Sequence, residues 1–399
     1  MNPARLLGRL ALTVAVLSVV SCGSAGEREV AVDSTTSTTL KAASATSVAS
    51  TGPATTAAIA TVAPLFAPSS EGPNIATWIS VDRAARSDTG TRVRSHSELL
   101  YAAPSKEPAT VHTTQKVSAT RSTFITAMSV SADGRTAYFG ETTTELNVTP
   151  YRCSMRVMAA DQSGQPRHVA DGDSPTIAPD SQRLAFQSAE DGSCQTTRLH
   201  VLNLSTSERR DFDVADFMRL LPRAPDRPEF AQFAGSQWSP DSRWLAVVFM
   251  VPDGWAATAI VDTRDWRLQL VRTDVYLEQV AREVMGDSYQ ITNRQLTVVA
   301  WTADGTLALK LACNGCPPYL YALGTPGSEV AVAAEPKLAG NTQPTSVRWL
   351  GSFEDWILVA DLNGIVARGS SKSVLLFGLD GYTVNAAWPA GRHSLPRVR

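Results

Sequence analysis

Short turns recur along the chain, each preceded by an apolar residue and in most copies followed by an apolar run, and they predict an all-β fold. The copies read Val130-Ser-Ala-Asp-Gly-Arg, Ile177-Ala-Pro-Asp-Ser-Gln, Trp238-Ser-Pro-Asp-Ser-Arg and Trp301-Thr-Ala-Asp-Gly-Thr. Two degraded copies follow, Trp349-Leu-Gly-Ser-Phe-Glu and Trp388-Pro-Ala-Gly-Arg. Their leading residues stand about 52 positions apart on average, and a repeat of that length built from strands and turns is one blade of a β-propeller. A propeller of four-stranded blades is therefore expected, with six blades and seven as the alternative count.

The turn chemistry explains the four copies that carry Asp-Gly or Pro-Asp-Ser. Proline presets the first corner, aspartate accepts backbone N–H groups two residues on, and glycine tolerates positive φ. After the turns come Arg183-Leu-Ala-Phe-Gln, Trp244-Leu-Ala-Val-Val-Phe and Thr306-Leu-Ala-Leu-Lys-Leu, short apolar runs suited to strands buried between two sheets. Further runs follow in each repeat, among them Leu199-His-Val-Leu, Ala259-Ile-Val and Val374-Leu-Leu-Phe, most of them closed by a second turn such as Asp262-Thr-Arg-Asp. The motif aspartates are read as turn formers, not as catalytic groups.

The motif resembles the WD40-like repeat of TolB-type propellers, close to Ser-Pro-Asp-Gly followed by a basic residue and an apolar strand. Residues 130–140, 177–187 and 238–249 match it well, and 301–311 adequately; the last two copies depart from it. The resemblance spans roughly residues 120–395 and implies the fold more than a function. TolB has an α/β domain ahead of its propeller, where only a tether is expected here, so contacts made through that domain are not expected to carry over.

Closure follows from counting. Only 11 residues follow Trp388, too few for a blade. Ala76-Thr-Trp-Ile-Ser-Val, Glu98-Leu-Leu-Tyr-Ala and Ala109-Thr-Val-His-Thr can supply the missing strands, so an N-terminal segment is expected to complete the last blade.

The start of the chain reads as a targeting segment. Arg5 and Arg9 precede an apolar run from Leu10 to Val20, too short to span a bilayer comfortably, and Val19-Val20-Ser21-Cys22 resembles a lipobox. Residues 1–21 are expected to be a lipoprotein signal peptide and Cys22 the lipidated residue, anchoring the protein to the outside of a bacterial cell membrane. Residues 22–72 are rich in Ser, Thr, Ala and Pro and read as a tether with a reach of roughly 40 Å. The propeller is assigned to 73–399. Without Arg5 and Arg9 the net charge moves from −2 to −4, and no basic stripe suggests nucleic acid.

Four cysteines remain after Cys22, and outside the cytoplasm an even number implies disulfides. Cys313 and Cys316 could close on themselves across a tight turn. Cys153 and Cys194 occupy comparable places in adjacent repeats and could bridge two blades. A redox role for Cys313 and Cys316 is disfavoured by strand surroundings and Pro317-Pro318, and no further ligands suggest zinc.

The search for a reaction finds no nucleophile elbow, no His-Glu-x-x-His and no phosphate loop, so no catalytic residue, metal or cofactor is expected. The histidines are scattered, and His200, on an apolar strand, is read as a satisfied core residue.

Two repeats are longer than the others by about 14 residues each. The surpluses fall near Asp211–Phe230 and near Thr273–Arg294, the second with helical spacing of Leu277, Val280, Val284 and Met285. Both join an outer strand to the next inner strand and so lie on one face. A recognition surface of Phe217, Met218, Arg219, Arg223, Tyr276, Glu278 and Arg282 is one reading; a helix that plugs the channel mouth is the other. The expected function is a monomeric, non-enzymatic binding or scaffolding module for an envelope protein, a peptide or a wall glycan. The rivals are a glycan or lactone hydrolase with its site at the central channel, and a wall spacer.

Overall fold

The computed structural model describes residues 76–86, 92–103, 109–162, 164–190, 192–221, 228–251, 255–271, 295–301, 305, 307–312, 320–324, 331–333, 348–353, 356–361, 364–368, 373–378 and 382–390. The described strands form four-stranded antiparallel units. The closing unit contains β1 (Ala76–Arg86), β2 (Arg92–Ala102) and β3 (Ala109–Thr113). Unit one is β4 (Arg121–Val130), β5 (Thr136–Glu145), β6 (Arg152–Asp161) and β7 (Arg167–Asp171). Unit two is β8 (Asp173–Ile177), β9 (Arg183–Ala189), β10 (Thr196–Asn203) and β11 (Arg209–Asp213). A short helix α1 (Val214–Met218) leads to unit three, β12 (Gln232–Trp238), β13 (Trp244–Val251), β14 (Trp255–Asp262) and β15 (Arg267–Leu270). Unit four is β16 (Gln295–Trp301), β17 (Leu307–Ala312), β18 (Leu320–Gly324) and β19 (Ala331–Ala333). Unit five is β20 (Arg348–Phe353), β21 (Trp356–Asp361), β22 (Gly364–Arg368) and β23 (Ser373–Gly378), and β24 (Tyr382–Ala390) is the last strand.

β24 does not start a unit of its own. It pairs antiparallel with β1, giving the sheet order β24-β1-β2-β3, with Trp388 opposite Trp78. The N-terminal strands thus complete the sheet that the C-terminal strand begins. A single parallel pair, Ala256 with Gln295, joins units three and four into one eight-stranded sheet.

The first strand of each unit sits at the narrow edge of its wedge. β4 touches β24 on one side and β8 on the other, β8 meets β12, β12 meets β16, and β20 meets β24. Each of these first strands has a register shift against its neighbour, for example between Phe233 and Gly235 and between Val298 and Ala300. Such bulges raise local twist and bend the strand. These meanders packed through their first strands make a β-propeller.

The repeat motif lies at the end of the first strand and in the turn to the second. Ser239 Oγ donates to Asp241 Oδ1 (2.6 Å), which accepts from Arg243 N (3.1 Å), while Trp244 N donates to Ser239 Oγ (2.8 Å). Ser131, Asp133, Arg135 and Thr136 repeat this pattern. Adjacent turns are also joined. Ser181 and Ser242, both at positive φ (57° and 59°), accept N–H bonds from Ala132 and Asp180 of the preceding units.

The leading tryptophans do the same in the core. Trp238 Nε1 donates to the Thr176 carbonyl (2.9 Å), and Trp301 Nε1 to the Gln237 carbonyl (3.1 Å), each on the preceding first strand. Both indoles are buried, so the bond satisfies a donor that would otherwise cost free energy. The fifth copy differs from the sequence reading. β20 runs on to Phe353, and Trp349 sits at the register shift inside the strand, not at its end.

Candidate functional site

Strands alternate in direction, so among the described residues one propeller face carries the motif turns and the other carries the connections from an outer strand to the next first strand. This second face also carries the links from second to third strands. On it the chain departs most from the repeat.

The clearest departure among the described residues is α1, within the surplus expected near Asp211–Phe230; the helical segment expected near Thr273–Arg294 lies outside the described residues. Asp213 is its N-cap: Oδ1 accepts from Ala215 N (2.8 Å), and Asp216 Oδ2 accepts from Asp213 N (3.2 Å). The reciprocal cap stabilises a helix too short to persist alone. Phe217 anchors it. Its side chain is 0% exposed and packs edge-on to Phe233 (5.0 Å) and Phe212 (6.3 Å), with Phe249 at 5.7 Å. Phe217 therefore belongs to the core between units two and three and is not a contact residue, contrary to the sequence expectation. A large aromatic in an insertion buries itself where the wedge leaves room, which composition cannot reveal. Met218 is partly buried against the same core. Arg219 is exposed and pairs with Asp216 (2.6 Å). Arg223, Tyr276, Glu278 and Arg282 lie outside the described residues, as do Cys22, Cys313 and Cys316.

Beside α1 the connections are tied into a continuous rim. Val117 N donates to the Ser95 carbonyl (2.7 Å), and Leu146 N to the Thr120 carbonyl (2.9 Å). Cys153 and Cys194 form a disulfide between units one and two, reinforced by Cys153 N donating to the Gly192 carbonyl (2.8 Å). Gln195 Nε2 then reaches the Glu229 and Ala231 carbonyls (2.9 and 2.8 Å) in the link to unit three. Four large apolar side chains stand exposed among the described residues: Val117 (36%), Leu146 (39%), Tyr151 (43%) and Phe230 (48%). All four belong to this rim. The sequence reading missed them because isolated apolar residues in loops carry no periodic signal.

Buried ionisable groups complete the site. Asp173 opens β8 and lies against unit one, accepting from Thr142 Oγ1 (3.1 Å), from Thr126 Oγ1 and from Ser174 N (2.5 Å). Burial pushes its carboxyl above the usual range, with those bonds opposing the shift. Gly140 is required beside it, since a Cβ there would overlap Asp173 Oδ1. In the closing unit Asp82 is held by Ser97 (2.6 Å) and Arg94 (2.7 Å), and Glu98 by Arg83 (2.8 Å) and His96 (3.1 Å).

His200 is buried, as the sequence reading expects. Its Nδ1 lies 2.7 Å from Asp211 Oδ1 and its Nε2 2.7 Å from Ser188 Oγ, with the ring 4.8 Å from that of Phe186. Burial holds the imidazole below the usual histidine range, against the pull of Asp211. Burial also pushes Asp211 upward, but the bonds from His200 and Arg209 outweigh it and the carboxyl titrates low. Ser188 and Asp211 lie on different strands from His200, and only the register joins them. Among the described residues no group of three or more His, Cys, Asp or Glu side chains could hold a metal ion. No described helix is long and apolar enough to cross a membrane.

Compared with known proteins, the chain matches no family model and no curated sequence. Among solved structures it is similar to TolB from Acinetobacter baumannii, at 12% identity and a TM-score of 0.40, over 79% of this chain and 67% of that one. It is similar to a prolyl endopeptidase at 15% identity and a TM-score of 0.39, over 78% of this chain but only 44% of that one. It is also similar to an oligogalacturonate lyase in complex with manganese, at 12% identity and a TM-score of 0.36, over 69% and 74% of the two chains. Nothing is carried over to this chain at that level of similarity, and the fold rests on the strand order and register above.

Proposed function

We propose that the protein is an extracytoplasmic binding module, tethered to the membrane through a lipid on Cys22, whose insertion-bearing face recognises another envelope protein or a peptide of one. The observation that carries this reading is the shared placement of Val117, Leu146, Tyr151 and Phe230 on one rim. Exposed apolar and aromatic side chains on scaffold-held loops are the residue types that dominate protein recognition. The backbone bonds and the disulfide hold the rim in place before a partner arrives, which lowers the ordering cost of association. Met218, Arg219, Arg223, Tyr276, Glu278 and Arg282 would extend the surface towards units three and four.

The test is photocrosslinking on intact cells from Tyr151 and from Phe230, with Asp133 on the motif face as control. One envelope protein captured from both rim sites and not from Asp133 supports the reading. Equal capture from all three sites, or none from either rim site, overturns it. The anchor is tested separately: Cys22→Ala should release folded protein into the medium, and a mutant that stays membrane-bound refutes lipidation at Cys22.

A further inference from the structure

The geometry points to Ser188 as the nucleophile of a hydrolytic site for carboxylic esters, with His200 as general base and Asp211 as the positioning residue. This goes beyond the binding role and does not rest on it. Three neighbouring strands build the row. Asp211 on β11 is directly opposite His200 on β10, and Ser188 on β9 is the diagonal neighbour, opposite Arg198. The bonds on the two ring nitrogens are both short, 2.7 Å to Asp211 Oδ1 and 2.7 Å to Ser188 Oγ.

Proton positions follow from the partners. An ionised Asp211 only accepts, so Nδ1 carries the hydrogen and Nε2 presents its lone pair to the Ser188 hydroxyl. That is the arrangement in which a serine is activated by an oriented imidazole. The row is graded from inside to outside: His200 is buried, Ser188 half-buried, and the Asp211 side chain 42% exposed.

The fold itself does not call for these groups. Aligned on the motif turns, the positions of Ser188, His200 and Asp211 are taken in unit three by Phe249, Ala259 and Leu270. In unit one they are Glu141, Met158 and His168. Unit three shows that the same backbone packs with three apolar side chains there. A second serine–histidine–carboxylate cluster shows the contrast. Ser95 Oγ is 2.8 Å from His96 Nδ1, but the Arg83 carbonyl at 3.2 Å also competes for its proton. Among the described residues the Ser188 hydroxyl has His200 alone as its side-chain partner.

The charged groups around His200 are Asp211 and Arg209 on β11 and Arg198 on β10, the last paired with Glu190. Arg209 draws on Asp211 and so limits the basicity of the relay. A weak base suits leaving groups that need little proton assistance, which favours esters over amides. In the step, Ser188 Oγ bonds to the ester carbonyl carbon while its proton passes to His200 Nε2. The carbon–oxygen bond to the alcohol then breaks, and that oxygen takes the proton from Nε2. Water repeats the sequence on the acyl-serine, releasing the acid and restoring the Ser188 hydroxyl.

The experiment uses the full chain with a fluorophosphonate probe, mapped by peptide mass spectrometry, and p-nitrophenyl acetate hydrolysis in parallel. Labelling at Ser188 is expected, lost in Ser188→Ala and slowed about 100-fold in His200→Gln. Its rate should fall with acid at a midpoint below the usual histidine value of about 6.5, because only the neutral imidazole accepts the proton. A wild-type protein unlabelled at Ser188, or an adduct undiminished in Ser188→Ala, overturns the assignment, as does a pH-independent rate. Should Ser188→Ala fail to fold, Ser188→Cys replaces it: His200→Gln in that background should slow alkylation by iodoacetamide about tenfold, and equal rates overturn the proposal.

Discussion

Replacing Phe217 by alanine separates a core role from a contact role at one position. The ring is wholly buried and meets three other phenylalanines, so truncation removes its transfer free energy and leaves a cavity between units two and three. Phe→Ala changes in such sites cost about 4 kcal/mol. For a domain of this size that corresponds to a fall in melting temperature of roughly 8 °C. Differential scanning fluorimetry of the full chain measures it, with Phe217→Leu as the volume-conserving control, expected to lose about 1 kcal/mol. Capture of a partner from Phe230 should survive at a temperature where the variant is folded. A Phe217→Ala protein melting within about 1 °C of wild type, yet failing to capture the partner, would refute the core assignment and restore Phe217 to the recognition surface.

The remaining predictions concern the joints between units. Asp173→Asn should raise the melting temperature at pH 7. Burial raises the folded-state pKa of Asp173, so its stabilising contribution is complete below the unfolded value of about 3.9 and is lost as pH rises through the folded value. The advantage of the asparagine should therefore vanish in melts below about pH 4. Trp238→Phe keeps most of the apolar volume but leaves the Thr176 carbonyl without its indole donor, and should cost about 2 kcal/mol in denaturant titrations. Cys153→Ser with Cys194→Ser opens a loop of sequence separation 41 and should cost up to about 4 kcal/mol, reproduced in the wild type by reductant.

What the sequence made legible follows from where its information repeats. Trp238 and Trp301 end first strands because an apolar residue before a Ser/Thr-x-Asp turn is a local signal, and the turn hydroxyls and aspartates carry it out through bonds two to five residues long. The pairing of β24 with β1 is reachable by counting strands, since the three runs at β1, β2 and β3 precede the first motif copy and have no leading strand of their own. The fifth copy was misplaced because Trp349 sits at a bulge, where one extra residue shifts the motif off the strand end. The site was much less legible. The repeat motif lies on the face opposite the insertions, so its clarity says nothing of the residues that touch a partner. Ser188, His200 and Asp211 are brought together by register across three strands, and a single sequence does not print register. Phe217 and Phe230 both belong to the same connection, yet one is buried and the other exposed; only the shape of the wedge decides between them.

The sheet shared by β24 and β1 has a consequence in time. Its partners are the first and last described strands, so the ladder from Trp78 to Trp388 cannot form until every described strand between them has been synthesised. Until then β1 presents one unpaired edge, and the units behind it wait as an open arc whose exposed edges invite association with other chains. Ring closure is thus the final and most non-local event of folding, and a slow one by the ordinary dependence of rate on contact separation. A chain cut before residue 382 would leave an arc held by its motif turns and, once oxidised, its disulfide, without the nine residues of β24 that turn it into a ring.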